Sequence, residues 1–290
     1  MKKLFRVKTA MRGTMRTINN RPQATAGQSS YTVADFSGAA FHIQNARKLW
    51  SISSQPAFTE TAPLAYLSSE LDNMDAAVQT DYLHLASLFN NLPLDRYLQE
   101  GATFRYRRFG RFKQDSSNPY NSPEPLPHLA FFQSTDLNPY AGGIQRTFEP
   151  MEQEMVDNPY LRDLLINLFC LIPTHERTKF RFWDVGLHPT RVIGKATEAG
   201  YGAPEGLHQD GHYFSATVLI SRKNVSGGES IFADMQKVIF WQQALLNPSD
   251  IVLWRDAHCW HDVTEIIPVD MSQAANRDMI GFTWNPLREQ

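Results

Sequence analysis

The fold and the chemistry of this chain depend on one stretch, which reads Pro204-Glu205-Gly206-Leu207-His208-Gln209-Asp210-Gly211-His212. Residues 213–221, directly after it, have the composition of a β-strand, so the stretch lies at the mouth of a strand. Side chains two positions apart in an extended segment point to the same face. His208 and Asp210 can therefore reach one metal ion together.

A third metal ligand has to come from a distant part of the chain. His258 and His261 are candidates, and His212 competes because it continues the alternation beyond Asp210. We favour His261, which stands where the predicted strand 262–268 begins, and expect His258 in the surrounding loop. Two imidazoles and one carboxylate on one side of a metal leave three positions open, an arrangement typical of non-haem Fe(II) centres.

The second half of the chain alternates short apolar strands with turns. The predicted strands are residues 180–185, 191–195, 213–221, 229–234, 237–241, 250–254, 262–268 and 278–284. Helices are predicted before them, over residues 75–89 and 151–172, from apolar side chains at three- and four-residue steps. The pattern predicts a mainly β protein with flanking helices, built as an antiparallel barrel or jelly roll.

Composition limits the classes of partner. The chain is 42% hydrophobic, carries a formal net charge of −2 at pH 7 and has two cysteines. These values favour a small-molecule ligand, give no case for nucleic acid or membrane, and suit the cytoplasm. We expect residues 31–290 to form a single domain. Residues 1–30 are basic and poor in large apolar groups, which predicts a mobile arm, with a transit peptide as the alternative.

Two further segments carry candidate binding groups. Residues 104–112 alternate aromatic and basic side chains, which we interpret as a half-buried strand with a solvated basic face. Residues 128–134 are predicted as a strand, and turns follow it over residues 136–146. Gln133 and Arg146 flank these turns, where a rigid scaffold often presents binding residues.

The sequence resembles the 2-oxoglutarate/Fe(II) dioxygenase family that includes bacterial L-isoleucine hydroxylases. The resemblance covers roughly residues 100–285 and lies in short segments. These are residues 204–211, 224–229, 260–264 and 277–278, with Asn138-Pro139 and Gly142-Gly143 upstream.

The resemblance implies a double-stranded β-helix (cupin-like) core and an iron held by His208, Asp210 and His261. It implies Fe(II), 2-oxoglutarate and O2 as cofactor and cosubstrates, with ascorbate as the reductant in vitro. Arg277, sixteen residues after His261, would bind the far carboxylate of 2-oxoglutarate. Met279 stands where some relatives have the serine of an Arg-x-Ser pattern.

The family further implies hydroxylation of a free L-amino acid or a small amino acid derivative. By elimination, Arg146 is expected to bind the substrate carboxylate with Gln133 as a helper, and Arg191 is a further candidate. Two other classes of function remain open at this point. A metal-dependent isomerase or hydrolase could use the same three ligands, and a non-catalytic cupin-like sensor could keep the barrel alone.

Overall fold

Within the described residues, the strands form three antiparallel sheets. The computed structural model describes residues 27–36, 41, 43–69, 71–138, 140 and 142–287. The strands are β1 Leu64–Leu67, β2 Arg105–Arg107, β3 Gly110–Asp115, β4 Glu124–Pro125, β5 Phe182–Gly194, β6 Phe214–Lys223, β7 Val225–Gly227, β8 Glu229–Ala233, β9 Ile239–Ala244, β10 Ile251–Trp254, β11 Trp260–Val263, β12 Ile266–Pro268 and β13 Ala275–Pro286. The helices are α1 Ala76–Leu88, α2 Gln153–Val156, α3 Pro159–Leu171 and α4 Thr174–Arg177.

The largest sheet has eight strands in the order β1-β10-β6-β13-β5-β3-β4, and β2 also pairs with β5. A second sheet, β11-β8-β9, lies across a cavity from it, since residues of both sheets line that cavity. A short pair, β7 with β12, completes the barrel. The protein is therefore mainly β with a few helices, and the predicted jelly-roll, double-stranded β-helix fold is confirmed.

Helices α1 and α3 cover the outer face of the large sheet. Val185 and Leu187 of β5 belong to the apolar core shared with these helices, whereas His188 faces the cavity. Both helices begin at a side-chain cap that satisfies a free backbone N–H group. Asp75 accepts from the N–H of Val78 at 3.0 Å, and Asn158 accepts from the N–H of Leu161 at 3.1 Å.

Several predicted boundaries were wrong. The single helix over residues 151–172 is two helices, because Asn158 caps a new helix with Pro159 in its first turn. Residues 128–134 form no strand, and within them only Phe131 makes a bridge, to Arg146. The predicted strand 262–268 is likewise divided between β11 and β12.

The predicted strands 180–185 and 191–195 are one strand, β5, that continues through Pro189. Proline lacks the N–H group that a central strand needs, so the sequence indicated an interruption. Pro189 lies opposite the gap between β2 and β3, because β2 pairs with residues 190–192 and β3 with residues 182–187. The missing donor therefore falls where the neighbouring strand is itself interrupted.

The predicted N-terminal arm, residues 1–30, lies outside the described residues up to residue 26. Ser29 donates to the Asp234 carboxylate at 2.7 Å, so the end of that segment contacts the barrel. None of the helices in the described part of the chain is long and apolar enough to cross a membrane.

Candidate active site

The structure brings together the three side chains predicted as metal ligands. His208 and His261 face each other in an antiparallel bridge, with N···O distances of 3.0 and 2.9 Å, and their ring centroids are 4.2 Å apart. Asp210 Oδ1 lies 3.5 Å from His208 Nε2, and Asp210 Oδ2 lies 3.3 Å from His261 Nε2. One ligand atom from each residue lies within 4.8 Å of the other two, which is close enough to bind one metal ion.

An oxygen atom faces the Nδ1 atom of each imidazole. His208 Nδ1 lies 2.7 Å from the carbonyl oxygen of Gly206, so Nδ1 carries a proton and Nε2 is the nitrogen that a metal would bind in place of its proton. His261 Nδ1 lies 3.6 Å from Asp256 Oδ1, while its Nε2 faces Asp210. Both histidines thus direct Nε2 towards the carboxylate of Asp210.

The electrostatics of this point favour a cation. Burial opposes protonation of His208, but the carboxylates of Glu205 and Asp210 outweigh it and raise the His208 pKa to about 10. Burial also opposes ionisation of Asp210, yet hydrogen bonds from His208 and His261 hold its pKa well below the usual range. Two imidazoles with one carboxylate are the donor set that suits Fe(II), so the residues present fit this metal.

Asp256 holds the turn that carries two of the predicted ligands, His208 and Asp210. Its carboxylate is buried and accepts from the backbone N–H groups of Asp210 at 3.1 Å and Gly211 at 2.6 Å. The indole N–H of Trp254 donates to the same carboxylate at 3.3 Å. Sequence reasoning missed Asp256, because no local pattern ties it to a turn more than forty residues earlier.

The two other histidines that the sequence offered as ligands lie outside this group. His258 is in a short 3-10 turn, where burial and the charge of Arg255 lower its pKa. His212 lines the cavity, and its Nδ1 lies 2.8 Å from Asn285 Nδ2.

The wall of the cavity is rich in arginine. Arg105 and Arg107 of β2 line it, as does Arg146 from the loop after β4. Arg105 is buried and pairs with Asp95 at 2.9 Å. The predicted solvated basic face was therefore wrong for Arg105 and Arg107, which point inward because the barrel encloses a polar cavity.

Gln133 connects the cavity wall to the ligands. Its Nε2 donates to Asp210 Oδ1 at 2.9 Å, and its Oε1 accepts from Arg146 Nη2 at 2.6 Å. Arg146 also stands over the ring of Phe131, with 5.0 Å from Cζ to the centroid. Glu149, three residues after Arg146, pairs with Arg96.

Arg277 is fully buried on β13, between Val192 of β5 and Arg222 of β6. Its Nη1 donates to the sulfur of Met279 at 3.3 Å, and Met279 lines the cavity. Its Nε and Nη2 atoms have no partner, and burial together with Arg222 lowers the Arg277 pKa to about 9. This guanidinium lacks a counter-ion in the described part of the protein.

Arg191 is not brought to the cavity. It makes a two-point contact with Asp278, with Nε–Oδ1 at 2.6 Å and Nη2–Oδ2 at 2.8 Å, and its Nη1 donates to Asn90. The guanidinium is thereby neutralised away from the ligands.

Comparison with known proteins gives a family match over most of the chain. The family model described as 2OG-Fe dioxygenase matches residues 86–283. A search of curated proteins returned no match.

Several solved structures share the fold. A bsmA homolog from Methylobium petroleophilum PM1 is 29% identical with a TM-score of 0.65, covering 79% of this chain and 90% of that one. IDO from Bacillus thuringiensis is 19% identical with a TM-score of 0.66, covering 78% of this chain and 95% of that one. The Fe(II)/(alpha)ketoglutarate-dependent dioxygenase TqaL is 20% identical with a TM-score of 0.59, covering 80% and 85%. At 19% and 20% identity, the last two comparisons show a similar fold and nothing further.

Proposed function

The chain belongs to the 2OG-Fe dioxygenase family, and on that premise we propose that it hydroxylates a C–H bond of a free L-amino acid or a small amino acid derivative. The family uses Fe(II), 2-oxoglutarate and O2, and it acts on small molecules. Family membership sets aside the isomerase, hydrolase and sensor alternatives. The ligand set, the cosubstrate site and the substrate class within the family are our proposals.

The observation that carries the substrate class is the placement of charge around the ligands. Arg107 and Arg146 contribute positive charges to the cavity wall, and Glu205 contributes a negative charge. A zwitterion with one carboxylate and one ammonium group matches both signs, whereas an apolar or purely anionic molecule matches at most one. The resemblance to a family that includes bacterial L-isoleucine hydroxylases supports the same class.

The residues of the chain have distinct parts in this reaction. When bound, Fe(II) and 2-oxoglutarate supply an oxidative decarboxylation in which O2 gives one oxygen atom to succinate and one to the new hydroxyl group, with release of CO2. His208, Asp210 and His261 would hold the metal, and Arg277 would bind the far carboxylate of 2-oxoglutarate. Arg146, with Gln133 beside it, would face the substrate.

The apolar part of the cavity wall has its own role. Phe131, Phe232 and Trp254 line the cavity together with the ligands. Their rings would exclude water and hold one C–H bond near the reacting atoms, which is the protein's main contribution in a cofactor enzyme. We include a cytoplasmic location in the proposal, supported by two buried free cysteines, Cys170 and Cys259.

The test is the conversion of 2-oxoglutarate to succinate by purified protein with Fe(II), ascorbate and air. Each proteinogenic L-amino acid is offered separately, and the product is examined by mass spectrometry for the gain of one oxygen atom. We expect succinate release to rise several-fold with one or a few amino acids and to match the hydroxylated product mole for mole. The His208→Ala variant is the control. If no amino acid stimulates succinate release while another class of small molecule does, the substrate class is wrong and the family assignment stands.

A further inference from the structure

Arg107 is a cation inside the protein that lacks an acidic partner. Within the described ranges, no carboxylate oxygen lies within 4 Å of its guanidinium, and its buried Nε atom has no hydrogen-bond partner. Burial, followed by repulsion from Arg105, lowers the Arg107 pKa to about 9. The exposed part of the side chain faces the cavity that holds the proposed metal ligands.

Among the described residues, the one polar contact of the Arg107 guanidinium does not neutralise it. Its Nη2 meets Nδ1 of His188 on the neighbouring strand. Burial and the charge of Arg107 hold the His188 pKa well below its ordinary value, so this imidazole is neutral and accepts the hydrogen bond. A buried guanidinium bound only to a neutral ring keeps its full charge and several free donors.

The neighbouring arginines differ from Arg107, because each of them has an acidic partner. Along the same basic segment, Arg105 pairs with Asp95, Arg108 with Glu152 and Arg111 with Asp184. Arg107 is therefore the member of this segment that combines access to the cavity with a free charge. A buried cation without a counter-ion carries a large desolvation penalty unless a ligand supplies the anion.

A second cation stands beside Arg107. The Cζ atoms of Arg107 and Arg146 lie 4.0 and 5.8 Å from the centroid of the same ring, that of Phe148. Arg146 also has no carboxylate within 4 Å among the described residues, and its Nε is without a partner. Two such guanidiniums around one ring make this part of the cavity wall a candidate anion site.

This anion site is separate from Arg277. Thr190 of β5 pairs with Arg107 on one side and with Met279 on the other, and Val192 pairs with Arg277. Two strand spacings of about 4.8 Å put the strands of Arg107 and Arg277 roughly 10 Å apart. The pair Arg107 and Arg146 and the single Arg277 are therefore separate positive sites, and each can bind its own carboxylate group.

We propose that Arg107, with Arg146 beside it, binds the α-carboxylate of the substrate, while Arg277 is left to 2-oxoglutarate. The inference rests on the proposed function for the identity of the ligand as an amino acid. It makes Arg107 the principal anchor of the carboxylate, because Arg146 is tied through Gln133 to Asp210, whereas Arg107 contacts only the neutral ring of His188 among the described residues. Arginine suits this role since its planar fork matches a carboxylate at two points.

The experiment measures binding without turnover. Protein loaded with Mn(II) and 2-oxoglutarate, free of oxygen, is titrated with each of the twenty proteinogenic L-amino acids, with the α-amide of the tightest binder and with the simple carboxylic acid that lacks its amino group. The variants are Arg107→Met, which removes the charge, Arg107→Lys, which keeps it, and Arg108→Met. Arg108 is the matched control, because it is the next residue and pairs with Glu152.

We expect Arg107→Met to weaken binding of the amino acid at least tenfold, with Arg107→Lys in between and Arg108→Met unchanged. Metal content and 2-oxoglutarate affinity should stay at the wild-type level in all three variants. The α-amide should bind the wild type at least tenfold more weakly than the acid and should be indifferent to Arg107→Met. This last comparison separates loss of a carboxylate contact from general damage to the cavity.

The outcomes separate this inference from the proposed function. If amino acids bind and Arg107→Met binds acid and amide like the wild type, the role of Arg107 is wrong and the substrate class stands. If the simple carboxylic acid binds more tightly than the amino acid, and does so through Arg107, the anchor stands and the amino acid substrate is wrong. If no probe binds the wild type, both proposals are overturned.

Discussion

Replacing Arg277 by methionine should stabilise the protein and at the same time weaken its affinity for 2-oxoglutarate. The side chain is fully buried, and its pKa falls from the usual 12.5 to about 9. The folded protein therefore binds this proton less tightly than the unfolded chain does, so the charge opposes folding at neutral pH. At about 1.4 kcal/mol for each pKa unit, the opposition amounts to a few kcal/mol.

The expected change in the free energy of unfolding follows from the desolvation of this charge. Methionine keeps an apolar side chain of similar length, and apolar replacement of buried charges is often stabilising by about 1 to 4 kcal/mol. We expect Arg277→Met to gain about 1 to 3 kcal/mol in free energy of unfolding without cosubstrate. In a chain of this size each kcal/mol raises Tm by roughly 2 to 4 °C.

The same substitution should lower the affinity of the protein for 2-oxoglutarate. Loss of one partner of a buried charge pair costs about 2 to 5 kcal/mol, which is roughly a thirtyfold or larger rise in Kd. At a concentration one hundred times the wild-type Kd, 2-oxoglutarate should stabilise the wild type by about 2.7 kcal/mol. By the same relation, the variant should gain about 0.9 kcal/mol or less.

The assay is denaturant and thermal unfolding of metal-loaded protein without oxygen, in the presence and absence of 2-oxoglutarate. Arg177→Met is the matched control, because Arg177 is also buried but donates to the carbonyl oxygens of Phe169, Cys170 and Ile172. That control should lose stability by about 1 to 3 kcal/mol and keep its cosubstrate affinity. A destabilised Arg277→Met would refute the account of an uncompensated charge, and an unchanged Kd would move the carboxylate contact to Arg222.

Four further outcomes are expected. Alanine in place of any of the three proposed ligands, His208, Asp210 and His261, should abolish iron binding measured by metal analysis. The variants His258→Ala and His212→Ala should keep most of that binding. Asp256→Asn should lower iron affinity about 10- to 100-fold in a metal titration, because that carboxylate orients the ligand turn, and an unaltered affinity would contradict this role. Gln133→Leu should weaken metal binding by about tenfold, since its amide donates to a ligand carboxylate, and wild-type binding would show the contact to be dispensable. Arg146→Met should weaken amino acid binding by less than the Arg107 change, and calorimetry giving the reverse order would make Arg146 the principal anchor.

The features determined by the sequence are local ones. His208 and Asp210 share a face because they are two apart in an extended segment, and that geometry needs no information from elsewhere in the chain. The choice of His261 came from its place at the start of a strand, and the structure brings it opposite His208. The helix starts had local signals too, although the cap at Asn158 was missed inside a longer apolar pattern.

Other features depend on which strands become neighbours. Pro189 continues a strand only because a gap between β2 and β3 lies opposite it, and Asp256 acts on a turn that precedes it by more than forty residues. Pairings of this kind are set by register between distant segments, which a single sequence does not display. The length of β5 and the support of the ligand turn were therefore decided by tertiary structure.

The basic strand β2 shows most directly what the sequence alone does not determine. Alternation correctly separated the arginines of β2 from the aromatic side chain of Tyr106, but it could not say which face is inside. Tyr106 packs against the core that the helices cover, while Arg105 and Arg107 line the cavity. In this barrel the apolar face of β2 points outward under the helices and the polar face points inward to the ligands. A periodic sequence thus defines two faces of a strand, and only the closed barrel with its covering helices assigns one of them to the cavity.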